Sequence, residues 1–496
     1  MVESGTMSAF LRAAALVAGL ASAPVAQLAP TSGRVEAPLA GSARAHVLRG
    51  TALEREGHLD AAAGEYRAAI ARAPKMAQAH DRLGFVLGRL GRTTEALDEF
   101  QLAVALQPSS FDAQYHLGAT LWWTRQIAPA RAALQQAVKL RPAHAEARYY
   151  LALTEKQAGA ADKALENLRI AVRLGPQIAV AHMQLGVALQ EIGDVDGAVG
   201  ELRRAIELGP ASADSRNSLG LALMQKGAAD EAIRAFQAVI DEHPDHPTAR
   251  LNLGTALMQQ GNLQKAIGTY RELTRRDPTS AEGFYDLGLA LKQSDDFAGA
   301  ERALRDAVRL DAALPEAPYT LGVVLWQTGR AEEAASLFRE AIARRTDFAD
   351  AHFMLGTIDK QQGDLDHAVG EFRETIRLSP TSAEAHTSLA QILQQQHDAS
   401  GAAAAFAAAD RLNKLKADSQ AAVFAVHAGV ELMKRREIGK AIEKFREAVR
   451  LAPDSAQAHY QLAVALGRIG ARTEATAEFG TARRLAASLR VSEPGR

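Results

Sequence analysis

Hydrophobic residues recur along the chain at helical spacing, in stretches separated by short breaks. Val180–Ile192 is one such stretch, "GDV" interrupts the spacing, and Asp196–Leu208 resumes it. Gly193 provides the stop after the first stretch, and Pro210 marks the turn after the second. The pattern therefore predicts an all-α chain built from pairs of amphipathic helices joined by tight turns.

The helix pair repeats every 34 residues. "AHDRLGFVL" at 79–87, "AHMQLGVAL" at 181–189 and "AHFMLGTID" at 351–359 start whole periods apart, whereas "AHYQLAVAL" at 458–466 starts five residues late. The sequence divides into repeats 1–11 over residues 43–416, an insert at 417–421, and repeats 12 and 13 over 422–489. The leader 1–42 and the tail 490–496 complete it, so we expect no separate catalytic domain.

Small residues predict close contact within each pair. When the residues of a repeat are numbered 1 to 34, place 8 is Gly in ten repeats and place 20 is Ala in all thirteen. A glycine inside a helix costs roughly 0.5–1 kcal/mol relative to alanine, so ten of them need a structural reason. We expect the two helices to cross at these places, with the ring or leucine at place 24 filling the space between them.

A helix pair with L-G at places 7 and 8, Ala at 20, Phe or Tyr at 24 and Pro at 32 resembles the tetratricopeptide repeat. The resemblance extends over residues 43–489. It implies a right-handed superhelix whose first helices line a concave groove, the usual site for extended peptides or protein segments. The chain departs from the turn proline and the inter-helix glycine at Ala312, Thr346, Lys414, Asp295, His397 and Arg436.

Helix geometry places this groove on one stripe of each first helix. Places 2, 5, 9, 12 and 13 lie roughly 140° around the helix from the stripe that packs. Rings gather there, and recognition surfaces use such rings, although tyrosines at place 5 can equally pack against a neighbouring repeat. The predicted partner-binding residues are Tyr115, Trp122, Trp123, Tyr149, Met183, Tyr285, Tyr319, Trp326 and Phe353.

Catalytic and cofactor signatures are missing from the sequence: it has no phosphate loop, no H-E-x-x-H and no G-x-S-x-G. We therefore expect no enzyme activity, no catalytic residue and no cofactor. Histidine recurs at place 4 in six repeats, but equivalent places in stacked helices lie on the order of 10 Å apart. Zinc holds nitrogen ligands at about 2 Å, so we expect a packing role rather than a metal site. "HPDH", with His243 and His246, lacks a third ligand.

Charge and hydropathy exclude two classes of partner. The 57 basic and 58 acidic residues are mixed along every repeat, whereas nucleic-acid binding needs an excess of basic residues on one surface. No apolar run in the repeats reaches the 18 residues of a membrane span. The expected partner is a protein or peptide.

The leader predicts export. Arg12, the apolar run 13–21 and the small residues Ala21–Ala23 have the pattern of a secretory signal, which indicates a periplasmic or secreted protein. Glu3 and Pro24 fit this pattern poorly and favour the alternative, a disordered leader on a cytoplasmic protein. The function we expect is a non-enzymatic scaffold that binds protein segments; the alternative is a structural subunit of an envelope secretion or exopolysaccharide-assembly machine.

The insert predicts a weak joint. Place 28 is usually Ile or Val because the next repeat buries it, but repeat 11 has Asp410 there and the last repeat has Arg483. Both repeats therefore look like ends of an array. We expect a hinge at 417–421, with tryptic cleavage at Lys414 or Lys416.

Overall fold

The computed structural model describes residues 42–209 and 213–491, with side chains to residue 486. This part of the chain forms 25 helices, which confirms the all-α prediction. Residues 1–41, on which the predicted export signal falls, and residues 492–496 of the tail lie outside it. The helices are α1 Ala43–Arg55, α2 Leu59–Arg72, α3 Ala77–Arg89, α4 Thr93–Leu106, α5 Phe111–Trp123, α6 Ile127–Leu140, α7 Ala145–Gln157, α8 Ala161–Leu174, α9 Ala179–Glu191, α10 Val195–Leu208, α11 Ala213–Lys226, α12 Ala229–Glu242, α13 Pro247–Gln259, α14 Leu263–Arg276, α15 Ala281–Gln293, α16 Phe297–Leu310, α17 Glu316–Gln327, α18 Ala331–Arg344, α19 Ala349–Gln362, α20 Leu365–Leu378, α21 Ala383–Gln395, α22 Ala399–Lys434, α23 Ile438–Leu451, α24 Ala456–Arg468 and α25 Arg472–Val491.

The small residues lie where the two helices of a repeat cross, as predicted. A Cβ atom added to Gly118 would lie 2.6 Å from Cγ of Leu134, and one added to Gly84 would lie 3.1 Å from the carbonyl oxygen of Ala96 at place 20. A Cβ atom at either place would therefore force its neighbour to move. The place 24 residue fills the remaining space, as Phe100 does with no exposed surface. The close packing that the glycines at place 8 allow therefore offsets the stability that a glycine inside a helix costs.

The turn between the two helices keeps one conformation in every repeat. Gly193 ends its first helix with φ of 81°, and eight other glycines at this place also have positive φ. Arg125, Asp295, His397 and Arg436 hold the same left-handed conformation at φ between 60° and 64°. An L-residue there costs roughly 1–2 kcal/mol. Helix packing on both sides therefore sets this turn even where glycine is replaced.

The chain divides into two compact units, Met1–Thr269 and Tyr270–Arg496, and the boundary falls within α14. Inside each unit the second helix of one repeat packs on the first helix of the next, and first helices of neighbouring repeats also touch. We call the surface that these adjoining first helices share the first-helix face. It is the surface on which the predicted binding residues lie.

The insert 417–421 forms no loop. The second helix of repeat 11 and the first helix of repeat 12 are fused into α22, which is 36 residues long. Lys414 replaces the turn proline, no glycine or proline occurs between Gly401 and Gly429, and the alanine-rich sequence favours helix. The two separate helices expected here are thus one helix. A hinge at 417–421 would require this helix to bend.

This fusion leaves one repeat interface uncovered. Place 3 carries a small buried residue in repeats 2–11 and in repeat 13, where the preceding repeat covers it. In repeat 12 it is Phe424, which is 75% exposed. Five helical turns separate Phe424 from Phe406, so both lie on the same side of α22. Because one helix contains both the second helix of repeat 11 and the first helix of repeat 12, these two cannot pack against each other. Asp410 is exposed there, as Arg483 is at the last repeat.

Candidate functional site

The nine predicted binding residues all lie on first helices, and all are half-buried. Whether they bind a partner stays a prediction. Their neighbours differ, however, between the two compact units. Tyr115, Trp122, Trp123, Tyr149 and Met183 belong to the first unit, and Tyr285, Tyr319, Trp326 and Phe353 belong to the second.

Four of the predicted rings gather around Tyr150. The ring centroid of Tyr150 lies 6.0 Å from that of Tyr115, 5.2 Å from Tyr149 and 5.7 Å from Trp122. Trp122 in turn lies 6.3 Å from Trp123. Such spacings are those of interacting aromatic pairs. We call these five residues of α5 and α7 the Tyr150 ring group.

Sequence reasoning missed Tyr150 because it stands at place 6, beside the predicted stripe. Place 6 faces the preceding first helix: His116, also at place 6, bonds Asp81 of repeat 2 through Nδ1 and Oδ1 at 2.8 Å. Asn252 donates to Asn217 at 2.9 Å in the equivalent position. Doubled tyrosines at 149–150 were the available signal, since one of the two had to face the neighbouring repeat.

The tryptophans are less exposed than expected. Trp122 and Trp123 are half-buried and pack against the apolar core of repeats 1–3. The Nε1 atom of Trp122 is buried and has no hydrogen-bond partner in the described part of the chain. A buried donor without an acceptor is costly and uncommon. Because both rings pack against this core, truncating them to alanine should lower stability as well as binding.

Burial shifts the pKa values of titratable side chains in and beside this group. Burial raises the pKa of Tyr149, and burial together with the nearby Glu146 carboxylate raises that of Tyr115. At the edge of the group, burial opposes protonation of His116, but the Asp81 carboxylate outweighs it and raises the pKa of His116.

The predicted rings of the second unit pack differently. The ring of Tyr319 lies 5.7 Å from Phe338, the place 24 residue of its own repeat, and 4.8 Å from Phe348. Phe353 likewise meets the place 24 ring of Phe372 edge-on at 5.6 Å. These two rings extend the core of their own repeats. They are not gathered around a shared ring as those of repeats 3 and 4 are.

The periodic histidines link consecutive repeats. His80 approaches Oε2 of Glu99, at place 23 of its own repeat, through Nδ1 at 2.6 Å and the carbonyl oxygen of Pro74 through Nε2 at 2.9 Å. The same pair of contacts occurs at His182, His352 and His459. Elsewhere at place 4, Gln114 donates to the carbonyl of Pro108 at 3.0 Å. A packing role accounts for these side chains.

His246 of the "HPDH" motif caps a helix. Its Nδ1 accepts a hydrogen bond from the backbone N–H of Ala249 at 3.1 Å, at the start of α13. Within residues 42–209 and 213–491 no group of three or more His, Asp or Glu residues is placed to hold a metal ion. In the same residues, no helix combines the length and apolar character that crossing a bilayer requires.

Comparisons with known families identify the repeat. The tetratricopeptide repeat family matches residues 38–77, 47–111, 115–179 and 183–238, and a second family of the same repeat matches 429–470. The C-terminal domain of cilia and flagella-associated protein 70, a family of tetratricopeptide repeats, matches residues 219–426. No curated protein matches the chain.

Several solved structures resemble parts of the chain. MamA is 30% identical over 34% of this chain and 97% of its own, with a TM-score of 0.32. YrrB, described as a TPR protein with an unusual peptide-binding site, is 23% identical over 37% of this chain and 95% of its own, with a TM-score of 0.34. PilF of Pseudomonas aeruginosa is 21% identical over 44% of this chain and 97% of its own, with a TM-score of 0.38.

Proposed function

Because the chain belongs to the tetratricopeptide repeat family, whose members are typically protein-interaction scaffolds, we propose that it is a non-enzymatic scaffold holding a segment of another protein on its first-helix face. The segment binds at the Tyr150 ring group of repeats 3 and 4. The other predicted residues of this face, Met183, Tyr285 and Trp326, are half-buried and extend the surface in their own repeats.

The observation that carries this proposal is the group of five half-buried rings in which Tyr115, Trp122 and Tyr149 contact Tyr150 and Trp123 contacts Trp122. Each ring still has surface that a partner can cover, and rigid rings give large contact area at low entropic cost. The rings contact each other across two repeats, so a segment lying along the face meets several at once. Tyr319 and Phe353 instead fill space within single repeats.

The test is affinity capture from the native cell extract with quantitative proteomics. The tagged full chain is compared with the double variant Tyr115→Ala, Tyr149→Ala and with the matched double variant Tyr285→Ala, Tyr319→Ala. We expect the first variant to lose at least one partner that the second retains. Equal retention by both variants, with both shown to be folded by circular dichroism, would overturn the proposal.

We also propose that the chain acts outside the cytoplasm, in the periplasm or as a secreted protein. The support is the signal-like leader with Arg12 and the small residues Ala21–Ala23. Mass spectrometry of the native N-terminus tests it: a mature chain starting near Pro24 is expected. An intact Met1 or Met7 start in a cytoplasmic fraction would contradict it. Captured partners dominated by envelope-assembly proteins would favour the structural-subunit role.

A further inference from the structure

We infer that the first-helix face of repeats 12 and 13 is a second binding site, whose ligand is an acidic protein segment with an apolar side chain between its carboxylates. The inference goes beyond the proposed function, because these repeats and the Tyr150 ring group belong to different compact units. Two features of the face lead to it: a cavity with an apolar floor, and an edge at which basic side chains outnumber carboxylates.

The cavity lies where the first helices of repeats 12 and 13 adjoin. These helices are the C-terminal part of α22 and α24, which contact each other. The cavity has a volume of about 230 Å³, and its lining is Val430, Met433, Val464, Gln461, Lys434 and Arg468. Since a cavity of about 150 Å³ holds benzene, this one has room for a side chain as large as leucine or phenylalanine.

The polar edge of the cavity has a cation that the protein leaves unpaired. Arg468 lines the cavity, is exposed, and has no carboxylate partner in the described part of the chain. Lys434, the other cation of the lining, pairs with Glu431 at 2.6 Å, but both of these side chains are exposed. Exposed pairs of this kind are weak, so a carboxylate of a ligand can take the place of Glu431.

The turns beside the cavity add to this positive charge. Arg435 and Arg436 follow α22 and Arg472 begins α25; all three are exposed, and none forms an ion pair within the residues that the structure describes. Glu437, in the same turn, already pairs with Lys440 at 2.6 Å. Residues 464–473 contain no acid. The edge therefore attracts carboxylates and repels a basic segment.

A second cavity of the same compact unit shows that arginines alone do not make such a site. It has a volume of about 450 Å³, lies between α16, α17 and α18, and includes Arg305 and Arg309 in its lining. Arg305 pairs with Glu301 at 2.6 Å, and Arg309 pairs with Asp306 at 2.9 Å. The arginines of that cavity are already neutralised, whereas Arg468 is not.

An acidic segment with one apolar side chain matches both features. Guanidinium groups bind carboxylates through two parallel hydrogen bonds. Packed helices lie about 8–10 Å apart and an extended segment rises about 3.3 Å per residue, so acids about three residues apart reach Lys434 and Arg468. An apolar residue between these acids then enters the cavity and covers its apolar floor.

The experiment titrates the full chain with the peptide acetyl-Glu-Asp-Leu-Asp-Glu-amide in a calorimeter. The amide end excludes recognition of a terminal carboxylate. One control peptide replaces Leu with Ala, and a second replaces Asp with Asn and Glu with Gln. We expect the first peptide to bind with a Kd below about 1 mM and each control to bind at least about threefold more weakly. Binding should weaken as salt is added, because salt screens exposed charges.

The decisive variant is Arg468→Gln. Because Arg468 is exposed, the variant should melt like the wild type, and we expect it to bind the leucine peptide about threefold to tenfold more weakly. The matched control is Arg450→Gln, which removes the same charge from an exposed position of α23 and should bind like the wild type. Wild-type affinity in Arg468→Gln, or an equal loss in both variants, would overturn the inference.

Two further outcomes would also contradict it. Equal affinity for the leucine and alanine peptides would show that the cavity takes no side chain. Binding of a ten-nucleotide thymidine oligomer that is tighter than binding of the leucine peptide, and is lost in Arg468→Gln, would assign the face to nucleic acid. The variant Tyr115→Ala, Tyr149→Ala should bind the leucine peptide like the wild type, so this inference and the proposed function fail separately.

Discussion

Repeats 3 and 4 and repeats 9 and 10 carry aromatic rings at the same places of the helix pair, yet the rings have different neighbours. In repeats 3 and 4, Tyr115 and Trp122 of one first helix meet Tyr150 of the next, and Tyr149 meets the adjacent Tyr150. In repeats 9 and 10, Tyr319 and Phe353 meet the place 24 ring below them. The rings of repeats 9 and 10 thus pair within one repeat, whereas those of repeats 3 and 4 also pair across two repeats.

The difference shows that place in the repeat does not determine the role of a residue. A ring at place 5 occurs in both regions, but only repeats 3 and 4 add Tyr150 at place 6 beside Trp122 at place 12. Tyr115 and Tyr149 contact Tyr150, and Trp123 contacts Trp122, so the five rings form one group. A change at the same place should therefore have opposite consequences for stability and for binding in the two regions.

The largest expected effect is on stability and concerns place 3. Residues at this place also differ in burial from one repeat to another. Ala351 is fully buried there, whereas Phe424 is 75% exposed. Ala351→Phe forces a ring into a filled interface and should lower the stability of its unit by about 3 kcal/mol or more. Phe424→Ala should change stability by less than about 0.5 kcal/mol. Urea denaturation measures both; a similar loss in the two variants would show that Phe424 is packed.

The next effect separates core rings from surface rings. Tyr319→Ala removes contacts with Phe338 and Phe348 and should destabilise by about 2–3 kcal/mol, somewhat less than for a fully buried ring. Tyr149→Ala removes a ring that meets the adjacent Tyr150, and it should cost about half as much and weaken partner capture instead. Thermal melting and capture of both variants check this. A larger loss of stability in Tyr149→Ala than in Tyr319→Ala would show that the ring of Tyr149 belongs to the core.

A smaller effect is the pH dependence of stability that arises from Asp286, an acid on the first helix of repeat 8. Asp81 pairs with His116, whereas burial and the nearby Glu282 charge raise the pKa of Asp286 to about 6, against the opposing hydrogen bond from Tyr270. The folded chain thus holds this proton more tightly than an unfolded aspartic acid with pKa about 3.9.

The contribution of Asp286 to the free energy of unfolding must therefore be highest below pH 4. It should fall by roughly 1–3 kcal/mol as the pH rises through 6. The variant Asp286→Asn removes the ionising group. Its denaturation midpoint, compared with that of the wild type from pH 4 to 7, should lack this decline. Parallel curves for the two proteins would show that Asp286 ionises freely.

Local signals in the sequence were sufficient for most of the fold. The helix pairs, the crossing of Gly118 over Leu134 and the buried ring at place 24 follow from spacing and residue size, which repeat thirteen times. Fused helix α22 was missed because a period mismatch of five residues indicates an insertion but not its conformation. The absence of glycine and proline from 402–428 was the available signal.

The site was predictable only in part, because its organisation depends on contacts between repeats. Helix geometry placed Tyr115 and Trp122 on the first-helix face, but it treats each helix alone and so omitted Tyr150. The contact of His80 with Glu99 joins places 4 and 23, on different helices. Periodicity in one sequence showed that the histidine recurs; only the folded pair shows that a glutamate meets it.

The most direct test of binding at the Tyr150 ring group is photo-crosslinking in the native cell. Benzoylphenylalanine is placed at Gln157, an exposed residue at place 13 of repeat 4, and in a matched chain at Gln327, exposed at place 13 of repeat 9. We predict that illumination joins a defined segment of one partner to position 157, and that Tyr149→Ala reduces this adduct. Crosslinks at 327 alone, or adducts at 157 that are indifferent to Tyr149→Ala, would contradict it.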